Sequence, residues 1–262
     1  IGALTTLRSN FAADQVVGLQ LTHSGRWARP EGEPAPRIAY RHPQLDDKVA
    51  ASDASVFSDD ELEELAGNYI GAAQLAAQAG FDFVDIKACH GYLLHELLTA
   101  YERPGRHGGD LQGRTRLLRT VIETVRRELP ALGVAVRLSI FDYAPHKPGA
   151  DGTGVPETGA PYRLAFGGDG TGSGIDLTET HELLELLSGL GVRLVCASAG
   201  SPYYVPHIQR PAYFPPSDGY KPPEDPLVGV ARLLAATAEI TARHPGLTVV
   251  GAGYSYLQEW LA

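Results

Sequence analysis

Five times along this chain a short apolar run rich in β-branched residues is followed by a stretch whose apolar residues recur at helical spacing. The runs fall at 16–21, 83–87, 134–139, 192–197 and 248–251. Strands apolar enough to be covered on both faces, separated by helices, build a parallel sheet, because a strand returns beside its predecessor in the same direction only through a crossover. The helix ahead of the second strand has a defined start, with Ser58 as N-cap and Glu61 three residues later to complete a capping box. Leu62, Leu65, Tyr69, Ile70 and Ala73 then recur on one helical face. Further helices are expected over 114–129, 179–187 and 227–243.

A parallel sheet with crossovers is either a doubly wound open sheet or a barrel, and strand alternation separates the two. Val17, Leu19 and Leu21 share one face of the first strand and leave Gln20 on the other. Val84 and Ile86 likewise oppose Asp85 and Lys87, and Val134, Val136 and Leu138 oppose Arg137 and Ser139. Three strands thus send polar groups to one side near their C-terminal ends, where a (β/α)8 barrel holds its active site. The connections 27–57, 141–175 and 200–225 are long and rich in Gly and Pro, a length usually reserved for function, and are expected over the barrel mouth. The glycine-rich stretch at 167–174 lacks the G-x-G-x-x-G spacing of a dinucleotide site and is read as loop.

Composition narrows the function classes. With 44% hydrophobic and 20% charged residues over 262 positions, the chain is expected to form one globular domain over 1–262. A net charge of −9 disfavours nucleic acid as a partner. No apolar run approaches the roughly 20 residues of a membrane span and no basic-then-apolar leader precedes the first strand, so no membrane partner and a cytoplasmic location are expected. Two cysteines, Cys89 and Cys196, are too few for a disulfide framework or a four-thiolate cluster, and no metal site is read. A chain without methionine that opens on Ile1 is expected to lack its ends.

The chemistry-bearing residues gather after the second strand. In Lys87-Ala88-Cys89-His90-Gly91-Tyr92 a cation, an imidazole and a phenol project together from a strand end. They supply two hydrogen-bond donors for a carbonyl oxygen and a proton donor beside them. The plainer alternative has Lys87 paired with Asp85, His90 capping the turn and Tyr92 packing. Gln20 and Arg137, if they face the barrel interior, need partners, since an unpaired buried guanidinium is costly. A planar ring with carbonyl and nitrogen acceptors satisfies both; so does an Arg137–Asp85 ion pair. Gly251 and Gly253 follow the last strand and precede an expected helix, so their amides could hold a phosphate or simply form a turn.

These residues resemble the old yellow enzyme family of NAD(P)H:flavin oxidoreductases. The resemblance rests on Gln20-Leu21-Thr22-His23-Ser24-Gly25-Arg26, on Gly80 through Leu93 with its His90-Gly91-Tyr92, on Arg106-His107-Gly108-Gly109, on Arg114-Thr115-Arg116 and on Val136-Arg137-Leu138-Ser139. It implies a (β/α)8 barrel of which about strands 3 to 7 are present and strands 1, 2 and 8 are missing. It implies FMN as cofactor, contacted by Gln20 and Arg137, and NADH or NADPH as hydride donor. His90 and Lys87 would hold the carbonyl of an activated alkene, hydride would pass from the flavin to the β-carbon, and Tyr92 would protonate the α-carbon. The partner implied is a small-molecule substrate, and a homo-oligomer is allowed. The chain departs from the family at Lys87, where His is usual, paired with a second His or an Asn three residues later. Gly113 replaces a common Asn and is expected to weaken a local turn contact. Two alternatives stand beside this reading: a Schiff-base aldolase using Lys87, and a non-catalytic relative that binds flavin or another ligand.

Overall fold

The computed structural model describes residues 1–212, 219–254 and 256–257. Among these, the strands in chain order are β1 (Gly18–Leu21), β2 (Phe83–Ala88), β3 (Gly133–Phe141), β4 (His146–Pro148), β5 (Gly154–Pro156), β6 (Leu194–Ala199) and β7 (Thr248–Val250). The helices are α1 (Gly2–Arg8), α2 (Asp46–Val49), α3 (Asp59–Gln78), α4 (Leu93–Leu98), α5 (Leu111–Arg114), α6 (Arg116–Glu128), α7 (Thr178–Gly189), α8 (Pro206–Gln209) and α9 (Pro226–Arg243). Five strands form one parallel sheet in the order β1-β2-β3-β6-β7, while β4 and β5 pair as a separate antiparallel hairpin. Each sheet strand lies beside its predecessor with no reversal, which excludes the doubly wound alternative, whose order turns back at a switch point. The fold is an incomplete (β/α)8 barrel, and β1 and β7 do not pair with each other among the described residues.

Packing follows the alternation. Val84, Ile86, Val134, Val136, Leu138 and Val195 are buried on the outer face in one core with the helices. Helix α3 contributes Leu62, Ala66, Tyr69, Ala73 and Ala76, and α6 contributes Leu117, Leu118, Val121, Ile122 and Val125. Each such leucine or valine stabilises the fold by about 1.5–3 kcal/mol relative to exposure. The capping box of α3 forms as its spacing predicts: Ser58 Oγ accepts the Glu61 N–H at 3.2 Å, and Glu61 Oε2 accepts the Ser58 N–H at 2.8 Å.

Several features differ from expectation, the short helices α1, α2 and α8 among them. The helix read over 114–129 is broken at Thr115, which donates its hydroxyl to the Leu111 carbonyl at 2.6 Å and leaves α5 and α6 as separate pieces. Helix α4 and the β4–β5 hairpin had no counterpart in the pattern; all six residues of α4 are buried, so no polar face betrays it. Gly113 does not weaken its turn. Its N–H donates to Asp110 Oδ1 at 2.8 Å, and a Cβ there would lie 2.1 Å from the Gly108 carbonyl oxygen, so the close approach needs glycine.

The long connections leave the C-terminal ends of β1, β3 and β6 and meet one another. His42 Nε2 and the Tyr162 hydroxyl are 3.0 Å apart, joining the first to the second, and Trp27 stacks on Tyr203 at 4.4 Å, joining the first to the third. Residues 213–218 of the third connection lie outside the described set. Among the described residues no helix is long and apolar enough to cross a membrane.

Candidate active site

Strand register sets the site. Gln20 lies opposite Asp85, Lys87 opposite Arg137, and Arg137 opposite Cys196. All five alternate with the buried outer positions and so share the inner face of the curved sheet. The Gln20 side chain donates from Nε2 to Asp85 Oδ2 at 2.7 Å. Burial pushes the Asp85 carboxyl up from its ordinary range, against that hydrogen bond and the charge of Arg137. Among the described residues no ion pair joins Arg137 to Asp85: Arg137 Nε and Asp85 Oδ1 are both buried without a hydrogen-bond partner. The register explains it, since Arg137 stands level with Lys87, two residues beyond the Asp85 row.

Lys87 does not pair with Asp85 either. Its ammonium lies 3.5 Å from the centroid of the Tyr92 ring, a cation–π contact in place of an ion pair. Burial holds its pKa below the usual lysine value. The chain between the two residues turns sharply through His90, at φ +64, and Gly91, at φ +73. A Cβ on Gly91 would strike the Tyr204 ring at 2.7 Å, so this position combines a left-handed backbone with a close approach that only glycine meets. The turn is tied down from three sides. The His90 N–H donates to Ser139 Oγ at 3.1 Å, His90 Nε2 and Ser198 Oγ are 2.6 Å apart, and the Gly91 N–H donates to His95 Nδ1 at 2.8 Å. Burial, with the charges of Arg137 and Lys87 adding to it, lowers His90 to about 3, so its imidazole is neutral at physiological pH.

Tyr92 is the N-cap residue of α4 and is half-buried. Its hydroxyl is 2.9 Å from that of Tyr203, and burial followed by this contact raises its pKa to about 12. The phenol therefore keeps its proton through the whole physiological range and stays competent to donate it. Gly251 and Gly253 follow β7 at the same end of the sheet, two strands from Arg137, and no described hydrogen bond brings them to Lys87, His90 or Tyr92. A Cβ on Gly251 would meet the Tyr254 ring at 2.4 Å, so side-chain packing occupies the space above that residue. The helix expected after Gly253 runs into residues outside the described set.

Besides Ser139, which strand alternation already places on the inner face, several participants carry no local signal. Trp27 and Tyr203 wall the site, Ser139 and Ser198 hold the turn, and Cys196 joins the inner face. Behind the turn, the Tyr204 hydroxyl donates to Asp142 Oδ2 at 2.6 Å, and burial pushes that carboxyl up to about 7. Arg26 is 1% exposed and bridges Glu96 and Asp46, with its Nε 2.9 Å from Glu96 Oε1. A second Arg26 nitrogen donates to the Tyr40 carbonyl at 3.0 Å, fixing the connection after β1 against α4.

The strand ends of this barrel sheet thus carry a lysine over a phenol beside a guanidinium with an unpartnered nitrogen, at the end of the strands where a (β/α)8 barrel holds its active site. Residues 11–160, more than half of the chain, match the model of the NADH:flavin oxidoreductase / NADH oxidase family, and the chain belongs to that family. It is 29% identical over 203 residues to an NADH:flavin oxidoreductase of Gibberella zeae, covering 71% of this chain and 45% of that one. It is 36% identical over 131 residues to an NADPH dehydrogenase of Bacillus subtilis, covering 48% of this chain and 36% of the relative. The chain thus spans less than half the length of these curated relatives. In fold it is similar to histamine dehydrogenase from Rhizobium sp. 4-9, with a TM-score of 0.55 at 18% identity over 77% of this chain and 26% of that one.

Proposed function

We propose that this chain is the catalytic part of an FMN-dependent ene-reductase, a single domain over 1–262 that reduces an activated alkene such as an α,β-unsaturated carbonyl at the expense of NAD(P)H. The observation that carries the reading is the inner-face row: Lys87 over Tyr92 at 3.5 Å, with Arg137 in register beside Lys87 and its Nε unpartnered, in a chain of this family. The orphaned Arg137 nitrogen and the orphaned Asp85 oxygen fit a planar ring with both acceptor and donor edges. Gln20, with one N–H spent on Asp85, keeps its carbonyl oxygen and its other N–H for the ring. Gly251 and Gly253 are proposed to offer backbone N–H groups to the phosphate. When bound, FMN supplies the hydride that reaches the β-carbon of the alkene.

The chain's own residues do the rest. Lys87 holds the carbonyl oxygen and offsets the negative charge that grows there as the double bond is reduced. His90 adds a neutral donor in the tautomer that carries the ring proton on Nδ1, in which Nε2 accepts from Ser198 Oγ. Tyr92 gives its proton to the α-carbon. The net acidity of the chain and the small-molecule chemistry of the site fit a cytoplasmic enzyme with no nucleic-acid or membrane partner. The family match and the cation–π seat of Lys87 favour this reading over a Schiff-base aldolase, which needs the amine free for carbonyl attack.

The testing experiment is anaerobic: the flavin-loaded protein is reduced with NADPH or NADH, then mixed with a cyclic enone while flavin absorbance is followed. Bleaching by the nicotinamide and recovery by the enone are expected; failure of the enone to restore the absorbance would defeat the ene-reductase reading. Arg137→Ala should lose a charge-assisted hydrogen bond of about 2 kcal/mol, or roughly thirtyfold in flavin affinity, read as flavin content after dialysis. Unchanged content removes Arg137 from the cofactor site. Lys87→Ala should raise KM for the enone and slow its reduction together, lowering kcat/KM on the order of tenfold to a hundredfold, because the oxygen ligand acts in both ground and transition states. A change in the nicotinamide half-reaction alone would place Lys87 elsewhere.

A further inference from the structure

A proton donor that turns over must be recharged, and the surroundings of Tyr92 point to where its proton comes from. Among the described residues the titratable and charged neighbours of its phenol are Lys87 and Cys89 from β2 and its end, and Tyr203 from the connection after β6. Lys87 faces the ring and not the oxygen. Burial pushes the Cys89 thiol up to about 12, so it holds its proton. Among the described residues the group hydrogen-bonded to the Tyr92 hydroxyl is the Tyr203 hydroxyl, 2.9 Å away. Tyr203 is 44% exposed, so the residue in this contact borders water.

The position of Tyr203 is held independently of Tyr92. Its ring stacks on Trp27 with centroids 4.4 Å apart and planes 12° from parallel. Its backbone N–H donates to Ser201 Oγ at 3.2 Å, and Ser201 is fully buried. A phenol clamped at its ring and backbone, bonded to a half-buried phenol and partly open to solvent, has the geometry of a relay.

We propose that Tyr203 is a positioning residue that orients the Tyr92 hydroxyl and passes it a proton, drawn in turn from bulk water, as Tyr92 protonates the substrate. The inference rests on the reading of Tyr92 as the proton donor. As the α-carbon gains its C–H bond, the Tyr92 O–H bond breaks. In the same step Tyr203 gives its proton to the Tyr92 oxygen, and its own phenolate then takes one from water, leaving hydroxide that the buffer neutralises. The electron pair and the other hydrogen added across the double bond come from NAD(P)H through the bound flavin. Transfer between the two oxygens is phenol to phenolate, chemically near-symmetric, and Lys87 over the Tyr92 ring stabilises the transient phenolate.

The test uses Tyr203→Phe, which keeps the ring and its stack on Trp27 but removes the hydroxyl. In the flavin-loaded protein, reduction by NAD(P)H should be unchanged while reoxidation by an enone slows roughly tenfold, a fraction of a full general-acid contribution. The proton inventory of reoxidation in mixed light and heavy water should pass from curved, with two protons in flight, to linear. Tyr203→His, which restores an ionisable relay on a planar ring, should recover most of the rate. A second readout needs no flavin: with 3-fluorotyrosine at position 92, the fluorine titration should shift in Tyr203→Phe, because the hydroxyl in contact with the Tyr92 oxygen is gone. An unchanged fluorine titration, an unchanged inventory, or equal slowing of both half-reactions overturns the relay. If Tyr92→Phe itself fails to slow reoxidation, the donor reading fails first and the relay with it. Normal slowing in Tyr92→Phe with none in Tyr203→Phe defeats the relay alone.

Discussion

Tyr92→Phe is expected to leave reduction of the flavin by NAD(P)H at its original rate and to slow reoxidation by an enone by about a hundredfold to ten-thousandfold, the usual contribution of a positioned general acid. The separation is sharp because the substitution removes one oxygen and nothing else. The aromatic ring that seats the Lys87 ammonium at 3.5 Å and lies against Tyr203 at 6.0 Å remains in place. Quinone reduction, which needs less help from a proton aimed at carbon, should largely survive. Stopped-flow measurement of the two half-reactions checks the expectation. If both fell together, or neither changed, Tyr92 would be a packing residue and the proton would come from elsewhere.

The second large effect is on stability, at Arg26. Its side chain is 1% exposed, and the carboxylates it bridges, Glu96 and Asp46, are 6% and 9% exposed. Glu96 also accepts the Ala39 N–H at 2.9 Å, so it cannot turn away from the vacancy a smaller residue would leave. Arg26→Ala strands the buried Glu96 carboxylate, while Asp46 keeps Arg41 and the His42 N–H, and is expected to cost about 3–5 kcal/mol. That is a large share of the 5–15 kcal/mol that holds a typical domain together, so partial unfolding at 37 °C is expected. Urea unfolding followed by circular dichroism measures it. Adding Glu96→Gln to Arg26→Ala should recover part of the loss by removing the stranded charge; a loss below about 1 kcal/mol in the single variant would mean that water reaches the network.

The strand pattern was legible because each strand carries its own contrast. Val84 and Ile86 against Asp85 and Lys87 is a two-residue alternation visible without neighbours, and it defines both the outer core and the inner face. Helix α4 had no such contrast, since it is buried on every side. The Arg137–Asp85 pair, an open alternative for the residues alone, was decided by register, which no single strand contains: Gln20 takes Asp85, and Arg137 stands one row further on. Tyr203 was illegible for a related reason. Its hydroxyl meets Tyr92 across 111 positions of chain, and the loop around it has no periodicity to place it. The same holds for Arg26 and Glu96, 70 positions apart.

The left-handed backbone at His90 limits what else that position can hold. A residue at φ +64 that is not glycine carries a strain of order 1–3 kcal/mol, here offset by the bonds to Ser139 and Ser198. Asn, Asp and His tolerate that conformation far better than most side chains, and β-branched residues scarcely at all. Of these, Asn keeps a donor for a substrate oxygen without adding charge. The His-or-Asn alternation that the family resemblance implies at this position thus has a backbone cause as well as a chemical one. A library built at position 90 should return little beyond His and Asn, the side chains that suit both the turn and a hydrogen bond to a substrate oxygen.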